Sequence, residues 1–196
     1  PMFHLADAGT TWTVTFAGAC HAFVPGFEPE ATLKAVQEYK VTKIILVPTM
    51  INMVINHPSV GEYDLSSLKT VLYGASPIPT AVLTKAMKTL GCEFIQGYGM
   101  TESAQLATYL PAADHKHPEN SPFAVRLKSA GVPFPLTELE VRDPEDRPLP
   151  QGEVGEICFR GPHVMQGYLN LPDATEEALR GGWMHAGYVG CIDEFG

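Results

Sequence analysis

The sequence predicts an α/β fold: a parallel sheet flanked by helices, followed by a small antiparallel β unit. Two patterns predict it. In the first half, short β-branched runs alternate with helical stretches, which is typical of a parallel sheet. In the second half, the apolar runs are short and bounded by turn residues, which is typical of antiparallel β structure. With 196 residues, 45% of them hydrophobic, the chain is long enough to bury a core.

The first half contains three predicted helices and three predicted strands. We expect helices over 29–39, 49–56 and 79–89, and strands over 43–48, 68–73 and 93–96. Pro29 and Pro79 suit the first turn of a helix, and Gly91 follows the last residue of one. Ligands of parallel sheets bind beyond the carboxyl ends of the strands. The segments 74–77 and 96–102 lie at those ends and are therefore candidate binding loops.

The second half changes character between residues 111 and 135. This polar stretch contains five prolines and two histidines, namely Pro111, His115, His117, Pro118, Pro122, Pro133 and Pro135. Beyond it we expect short strands over 138–142, 155–160 and 163–167, and a helical turn over 173–180. We therefore divide the chain into an α/β subdomain, 1–125, and a small β-rich subdomain, 126–196.

Charge and cysteine content narrow the possible functions. The 13 basic and 22 acidic residues give a net charge of −9, which argues against a broad basic surface for nucleic acid. An anionic small ligand is still compatible, because backbone N–H groups bind phosphate without lysine. The four cysteines form no Cys-x-x-Cys pair, so we expect reduced thiols in the cytoplasm and no zinc cage. No apolar run reaches membrane-spanning length.

The segment after the third predicted strand has the residue types of a phosphate-binding loop. Gly97 and Gly99 let the backbone turn sharply and approach a ligand. Thr101 offers a hydroxyl and an N–H to phosphate oxygens, and Glu102 offers a hard carboxylate to Mg²⁺. Tyr98 offers an aromatic face to a purine ring. A glycine-rich turn capped by threonine explains the same residues equally well, so this segment alone does not distinguish a phosphate-binding loop from a structural turn.

Five motifs occur in order along the chain. They are Pro1-Met-Phe-His4, Gly74-Ala-Ser-Pro77, Tyr98-Gly-Met-Thr-Glu102, Gly152-Glu-Val-Gly-Glu-Ile-Cys-Phe-Arg-Gly161 with Gly167-Tyr-Leu-Asn170, and Gly182-Trp-Met-His-Ala-Gly187. In these motifs the chain resembles the adenylate-forming superfamily of acyl-CoA synthetases, 4-coumarate–CoA ligases, luciferases and peptide-synthetase adenylation domains. The resemblance implies that the chain is part of the large N-terminal domain of such an enzyme, with 1–125 as its nucleotide-binding subdomain.

The resemblance also implies roles for individual residues. The implied nucleotide-binding residues are Gly74, Ala75, Ser76, Pro77, Gln96, Gly97, Tyr98, Gly99, Met100 and Thr101. Thr101 would contact the α-phosphate and Glu102 the magnesium, so both are expected catalytic residues. Gln96, Gly97 and His4 would lie near the carboxylate substrate, although His4 also fits a structural histidine at a strand end.

The remaining functional side-chain types show no catalytic or metal-binding pattern. His115, His117, His163 and His185 have no partner spacing for a metal, and we interpret them as structural or exposed. Neither a Ser–His nor a Cys–His pair is evident, and the implied chemistry does not require one.

One position departs from the family pattern. Residue 188 is Tyr, where the family typically has an Asp that accepts hydrogen bonds from both ribose hydroxyls. A neutral phenol cannot replace a bidentate carboxylate acceptor and is much bulkier. We therefore expect weakened ATP binding.

The resemblance implies a two-step reaction with ATP, Mg²⁺ and coenzyme A acting on a small-molecule carboxylic acid. We expect an acid–CoA ligase for a fatty or aryl acid, and the chain length or ring preference stays open. The alternatives are a peptide-synthetase-type adenylation domain and a non-catalytic relative, which Tyr188 favours. The family's phosphate loop and catalytic lysine are expected before residue 1 and after residue 196, so we expect this stretch alone to be inactive.

Overall fold

The computed structural model describes residues 3–117 and 121–196, so Pro1, Met2 and Pro118 of the patterns above lie outside the described residues. The chain forms two compact units. The first unit comprises the described residues up to Tyr98 together with Leu110–Ala130, and the second comprises Gly99–Tyr109 and Gly131–Gly196. The stretch that carries Thr101 and Glu102 therefore belongs to the second unit, whereas the sequence placed it in the subdomain 1–125.

The first unit contains a parallel three-stranded arrangement. Its strands are β1 (Lys43–Leu46), β2 (Thr70–Gly74) and β3 (Glu93–Tyr98). β2 pairs in parallel with β1 on one side and with β3 on the other. The predicted parallel sheet is confirmed. β1 ends before the predicted residue 48, because Val47 is an N-cap and Pro48 occupies the first position of a helix, which proline favours.

Four helices belong to the first unit. They are α1 (Leu5–Phe16), α2 (Pro29–Tyr39), α3 (Pro48–Ile55) and α4 (Thr80–Leu90). The three predicted helices are confirmed as α2, α3 and α4. They share one apolar core with the sheet, built from Leu33, Val36, Leu46, Ile51, Val54, Ile55, Leu68, Val71, Tyr73, Leu83, Ala86, Leu90, Phe94 and Leu127. No helix in the described part of the chain is long and apolar enough to cross a bilayer.

Local chemistry sets the ends of α2. The Glu28 side chain accepts a hydrogen bond from the Ala31 N–H at 2.7 Å, which satisfies one of the free donors of the first turn. At the other end Lys40 is the C-cap in a left-handed conformation, with φ 51° and ψ 47°. A glycine, Gly91, takes the corresponding position after α4. The helix boundaries therefore follow from capping as well as from burial.

Helix α1 was not predicted from the sequence. His4 is its N-cap, and the imidazole Nδ1 accepts a hydrogen bond from the Ala6 N–H at 3.2 Å. The alternative interpretation of His4 as a residue at a strand end is therefore wrong, because it begins a helix. Threonine and glycine are poor helix formers, and three threonines here bond back to carbonyls one turn earlier. No residue of α1 is buried.

The second unit is built mainly from antiparallel strands. β4 (Thr108–Leu110) pairs with β5 (Val132–Pro133), and β6 (Glu138–Arg142), β7 (Gly155–Arg160) and β8 (Met184–Gly190) form a three-stranded sheet in that order. β6 and β7 have the predicted bounds, so the small antiparallel unit is confirmed. The predicted helical turn is α5, Pro172–Ala178. β8 was recognised only as a sequence motif and not as a strand.

The predicted strand over 163–167 is wrong. The structure has turns there, and the Met165 N–H donates to the carbonyl oxygen of Glu102 at 2.8 Å instead of to a neighbouring strand. Gly167 has a φ of 154°, which side-chain-bearing residues rarely adopt. The apolar run at 164–165 therefore reflects packing of a turn.

Trp183 forms the most distinctive packing contact of the second unit. The guanidinium carbons of Arg142 and Arg160 lie 4.8 and 4.5 Å from the centre of its ring. Such cation–π contacts stabilise an aromatic ring that two charged groups cover. Arg142 also pairs with the carboxylates of Glu140 and Asp146, so neither its charge nor the indole is left without a partner.

Candidate active site

Two candidate loops of the first unit begin side by side. Gly74, the last residue of β2, is in register with Gly97 of β3. A Cβ atom at Gly74 would collide with the Gly97 carbonyl oxygen, so glycine is required there by the protein's own backbone. Ala75 follows with a positive φ of 68°, and Ala75, Ser76 and Pro77 are exposed. The loops thus meet at the carboxyl edge of the parallel strands, where the sequence placed them.

A buried hydrogen-bond network lies next to these loops. The Tyr73 hydroxyl is 2.9 Å from His115 Nε2 and 3.3 Å from Gln96 Oε1, and His115 Nδ1 is 3.0 Å from the Pro111 carbonyl oxygen. Because a carbonyl only accepts, Nδ1 carries the proton and Nε2 accepts from Tyr73. His115 is therefore a structural histidine, as expected. Because the single Tyr73 proton goes to His115 Nε2, the side chain of Gln96, an expected substrate residue, contacts the Tyr73 hydroxyl without accepting that hydrogen bond.

Burial keeps both partners of this network neutral. Desolvation lowers the pKa of His115, against the hydrogen bond to the Pro111 carbonyl and the charge of Asp114. Desolvation likewise raises the pKa of the Tyr73 phenol. Asp114 is itself paired with Arg126 at 2.5 Å.

In the second unit, the loop that carries Thr101 and Glu102 is a tight turn. Residues Thr101–Ser103 form one turn of 3-10 helix, and the buried Ser103 hydroxyl lies 3.0 Å from both the N–H and the carbonyl oxygen of Met100. A Cβ at Gly99 would collide with the Gln105 backbone. From the sequence we expected Gly97 and Gly99 to let the backbone approach a ligand. At Gly99 the group that approaches closely is instead the protein's own backbone.

The Glu102 side chain is held by a residue far along the chain. Its Oε1 accepts a hydrogen bond from the Tyr168 hydroxyl at 2.8 Å. Among the described residues no other side chain or backbone group donates to the Glu102 carboxylate, so Oε2 is available. An available carboxylate oxygen, one residue after the exposed Thr101, fits a magnesium ion carried by a nucleotide, since Mg²⁺ prefers one or two carboxylates plus phosphates.

The second unit also brings together three side chains that the sequence did not connect. The possible ligand atoms of Glu156, Cys158 and His185 all lie within 4.8 Å of one another. His185 Nδ1 is 2.9 Å from Glu156 Oε2 and 3.3 Å from Cys158 Sγ. The expectations that His185 has no metal-ligand partners and that no Cys–His pair exists are therefore wrong. Folding pairs β7 with β8 and so joins residues 27 and 29 positions apart.

Hydrogen bonds hold the Glu156 side of this cluster, whereas the buried His185 Nε2 has no hydrogen-bond partner among the described residues and lies 3.4 Å from Asp146 Oδ1. Glu156 accepts from His185 and from the Gly187 N–H at 3.1 Å and pairs with Arg180 at 2.8 Å. Partial burial opposes ionisation of Glu156, but these hydrogen bonds and charges outweigh it and hold its pKa below the usual value. Burial raises the pKa of the Cys158 thiol to about 12, so the thiol is no nucleophile near neutral pH.

Tyr188 lies on β8 with 58% of its surface exposed. It directly follows Gly187, whose φ is 70° and whose N–H is bonded to Glu156. The structure thus fixes the backbone next to this position through the hydrogen bond from the Gly187 N–H to Glu156.

Some of the residues with expected roles belong to the first unit and others to the second. The first unit holds His4, Gly74, Ala75, Ser76, Pro77, Gln96, Gly97 and Tyr98, and the second holds Gly99, Met100, Thr101, Glu102 and Tyr188. Tyr168 is the residue that sequence reasoning missed. Its only signal was its place in the Gly167–Asn170 motif.

Comparison with known proteins places the chain in a family. Residues 1–169 match the family model described as AMP-binding enzyme. The chain is 40% identical over 194 residues to a feruloyl-CoA synthase of an Amycolatopsis species, which covers 98% of this chain and 38% of that protein. It is 37% identical over 196 residues to a medium/long-chain-fatty-acid–CoA ligase of Mycobacterium tuberculosis, covering 100% of this chain and 33% of that protein.

A solved structure shows the same fold. The o-succinylbenzoate coenzyme A synthetase of Bacillus subtilis, determined in complex with ATP and magnesium ion, matches with a TM-score of 0.85 and 26% identity over 100% of this chain and 38% of that one. The chain thus spans between a third and two fifths of the length of these relatives. With its parallel strands, its antiparallel unit and its motif loops in the expected places, the chain belongs to the AMP-binding enzyme family.

Proposed function

We propose that the whole protein is an acid–CoA ligase, which activates a fatty or aryl carboxylic acid with ATP and transfers the acyl group to coenzyme A. Similarity to a feruloyl-CoA synthase and to a medium/long-chain-fatty-acid–CoA ligase supports the reaction and both acid classes. The observation that carries the proposal is the held carboxylate of Glu102, with one oxygen bonded to Tyr168 and the other available, in the turn that also contains Thr101.

The proposed first step is attack of the substrate carboxylate on the α-phosphorus of ATP, with cleavage of the bond to the departing pyrophosphate. Such phosphoryl chemistry needs alignment and charge neutralisation more than a protein nucleophile. Bound Mg²⁺ supplies the neutralisation when ATP is present. Thr101 would orient the α-phosphate through its hydroxyl and N–H, and Glu102 would hold the metal.

In the proposed second step the thiol sulfur of coenzyme A forms a bond to the acyl carbonyl carbon. The mixed anhydride bond breaks, the thiol proton is lost, and AMP leaves. Gln96 and Gly97 would lie where the acyl group meets the nucleotide. The Tyr73 hydroxyl, held by His115, lies 3.3 Å from Gln96 Oε1 and would limit the movement of the Gln96 amide.

We also propose the cytoplasm as the compartment. The four cysteines are free in the described structure, which suits a reducing environment. ATP and coenzyme A are the expected co-substrates there.

Acid-dependent exchange of labelled pyrophosphate into ATP tests the proposal. The whole protein is assayed with ferulate, 4-coumarate, octanoate and palmitate, and an active acid is then tested for thioester formation with coenzyme A. We expect exchange with at least one acid, and loss of most of it in Glu102→Gln. The matched control Glu153→Gln removes an exposed carboxylate of the same unit and should leave the rate unchanged. No exchange with any acid would favour a non-catalytic relative, and adenylate without thioester would favour an adenylation domain.

Tyr188 is the feature that favours the non-catalytic alternative, and one substitution addresses it. We expect Tyr188→Asp to strengthen ATP binding by about 2–3 kcal/mol, the contribution of a hydrogen-bond pair to a charged acceptor. The side chain is mostly exposed, so the fold should tolerate the change. Titration calorimetry with ATP measures the effect, and Tyr188→Asn separates charge from size. Equal ATP affinity in Tyr188→Asp and the parent protein would contradict the assigned ribose contact.

A further inference from the structure

The hydrogen bond between Tyr168 and Glu102 links two segments that are 66 residues apart in sequence. Its oxygen–oxygen distance of 2.8 Å is that of an ordinary O–H···O bond, and a hydrogen bond to a charged acceptor is generally stronger than a neutral one. The phenol donates to Oε1 only. It therefore fixes the plane and position of the carboxylate without using its second oxygen.

Tyr168 is itself held in place at its backbone. Its N–H donates to the Thr175 hydroxyl at 2.8 Å, and that hydroxyl donates to the Leu171 carbonyl at 2.8 Å. The preceding residue, Gly167, packs so closely on Thr175 that a Cβ there would lie 2.7 Å from Thr175 Cγ2. The start of α5 thus fixes the position from which the tyrosine reaches Glu102.

The backbone of Glu102 is held by the same segment. The Met165 N–H donates to the Glu102 carbonyl oxygen at 2.8 Å. Two hydrogen bonds from residues three apart therefore hold one glutamate, the first to its backbone and the second to its side chain. The glutamate is thus held at its backbone and at one carboxylate oxygen before any ligand arrives.

We propose that Tyr168 is a positioning residue that holds Oε1 of Glu102 and so leaves Oε2 oriented for the magnesium ion of bound ATP. The inference rests on the proposed function in assuming a nucleotide-borne metal at Glu102. Residues that hydrogen-bond a metal ligand tune metal affinity by about 10–100-fold in other proteins. A phenol is suited to this work, because it donates one bond and adds no charge.

The test is a magnesium titration of the whole protein and of its Tyr168→Phe variant, which loses only the hydroxyl. The Mg²⁺ concentration that gives half of the ATP-induced rise in melting temperature should increase about tenfold in the variant. In the exchange assay the same shift should appear, with the KM of the carboxylic acid unchanged within twofold. The control Tyr109→Phe removes the hydroxyl of another tyrosine of the second unit, which packs on Phe134, and should show no shift.

A second variant pair separates positioning from general destabilisation. In a Glu102→Gln background, Tyr168→Phe should have no further effect on the Mg²⁺ midpoint, because the tyrosine acts through the carboxylate. A further shift there, an unchanged midpoint in Tyr168→Phe, or no Mg²⁺-dependent effect of ATP on the parent protein would each overturn the proposal. A shifted melting midpoint without exchange for any acid would uphold Tyr168 and overturn the ligase function instead.

Discussion

At the scale of single residues, His115 is a buried titratable group whose charge state affects stability. Its imidazole is 3% exposed and is held neutral between the Pro111 carbonyl and the Tyr73 hydroxyl. Desolvation lowers the pKa of the folded state below the value of about 6.5 that histidine has in an unfolded chain. As the pH falls below about 6.5, His115 becomes protonated in the unfolded chain while it is still neutral in the folded protein. The stabilising contribution is thus present above the unfolded pKa and is lost as the pH falls through the folded pKa.

A non-titrating replacement should reveal this dependence. We expect His115→Gln to be less stable than the parent protein at pH 7.5, because it disturbs a buried network, and to lose less stability between pH 7.5 and pH 5.5. Urea denaturation at each pH measures the difference. An equal loss of unfolding free energy in both proteins would show that His115 is not the group responsible.

At the scale of secondary structure, the helices and strands that were predicted correctly are those with local sequence signals, such as a proline at the start or turn residues on both sides. Pro29 and Pro79 at the starts of α2 and α4 and the glycine after α4 were visible in the sequence, whereas Pro48 of α3 was assigned to a strand; all three helices lie within one or two residues of their predicted bounds. β6 and β7 also followed from short apolar runs between turn residues. Elements without such signals were missed: α1 buries no residue, and β8 contains two glycines, which weaken strands.

The C-terminus of α2 offers a direct check of this capping argument. Lys40 adopts the left-handed conformation that glycine occupies without strain, and its ion pair with Asp64 is exposed and contributes little. We expect Lys40→Gly to stabilise the protein by about 0.5–1 kcal/mol. Lys40→Ala, which loses the ion pair but keeps the strain, should give no gain. Denaturant midpoints of the three proteins decide, and stabilisation by alanine as large as by glycine would contradict the backbone explanation.

At the scale of the whole molecule, the sequence shows the order of the motifs along the chain but does not show which of them are in contact. Gly74 and Gly97 were expected together because both end parallel strands, and their register confirms it. The bond from Tyr168 to Glu102 could not be predicted, because no period or cap relates residues 66 apart. The Cys158–His185 pair was missed for the same reason, since only the pairing of β7 with β8 creates it. Long-range contacts depend on topology, which a single sequence leaves open.

The packing of Trp183 has a practical consequence. The chain has two tryptophans, Trp12 in the first unit with 63% of its surface exposed and Trp183 in the second with 4% exposed. We expect acrylamide to quench the fluorescence of Trp12 readily and to leave a blue-shifted fraction from Trp183 largely unquenched. Trp183→Phe should remove the blue-shifted fraction, and Trp12→Phe should leave only that fraction. Uniform quenching of all emission would contradict the burial between Arg142 and Arg160. The two guanidinium groups thus make the indole a built-in optical reporter, which follows the folding of the unit that carries Glu102 without any ligand or label.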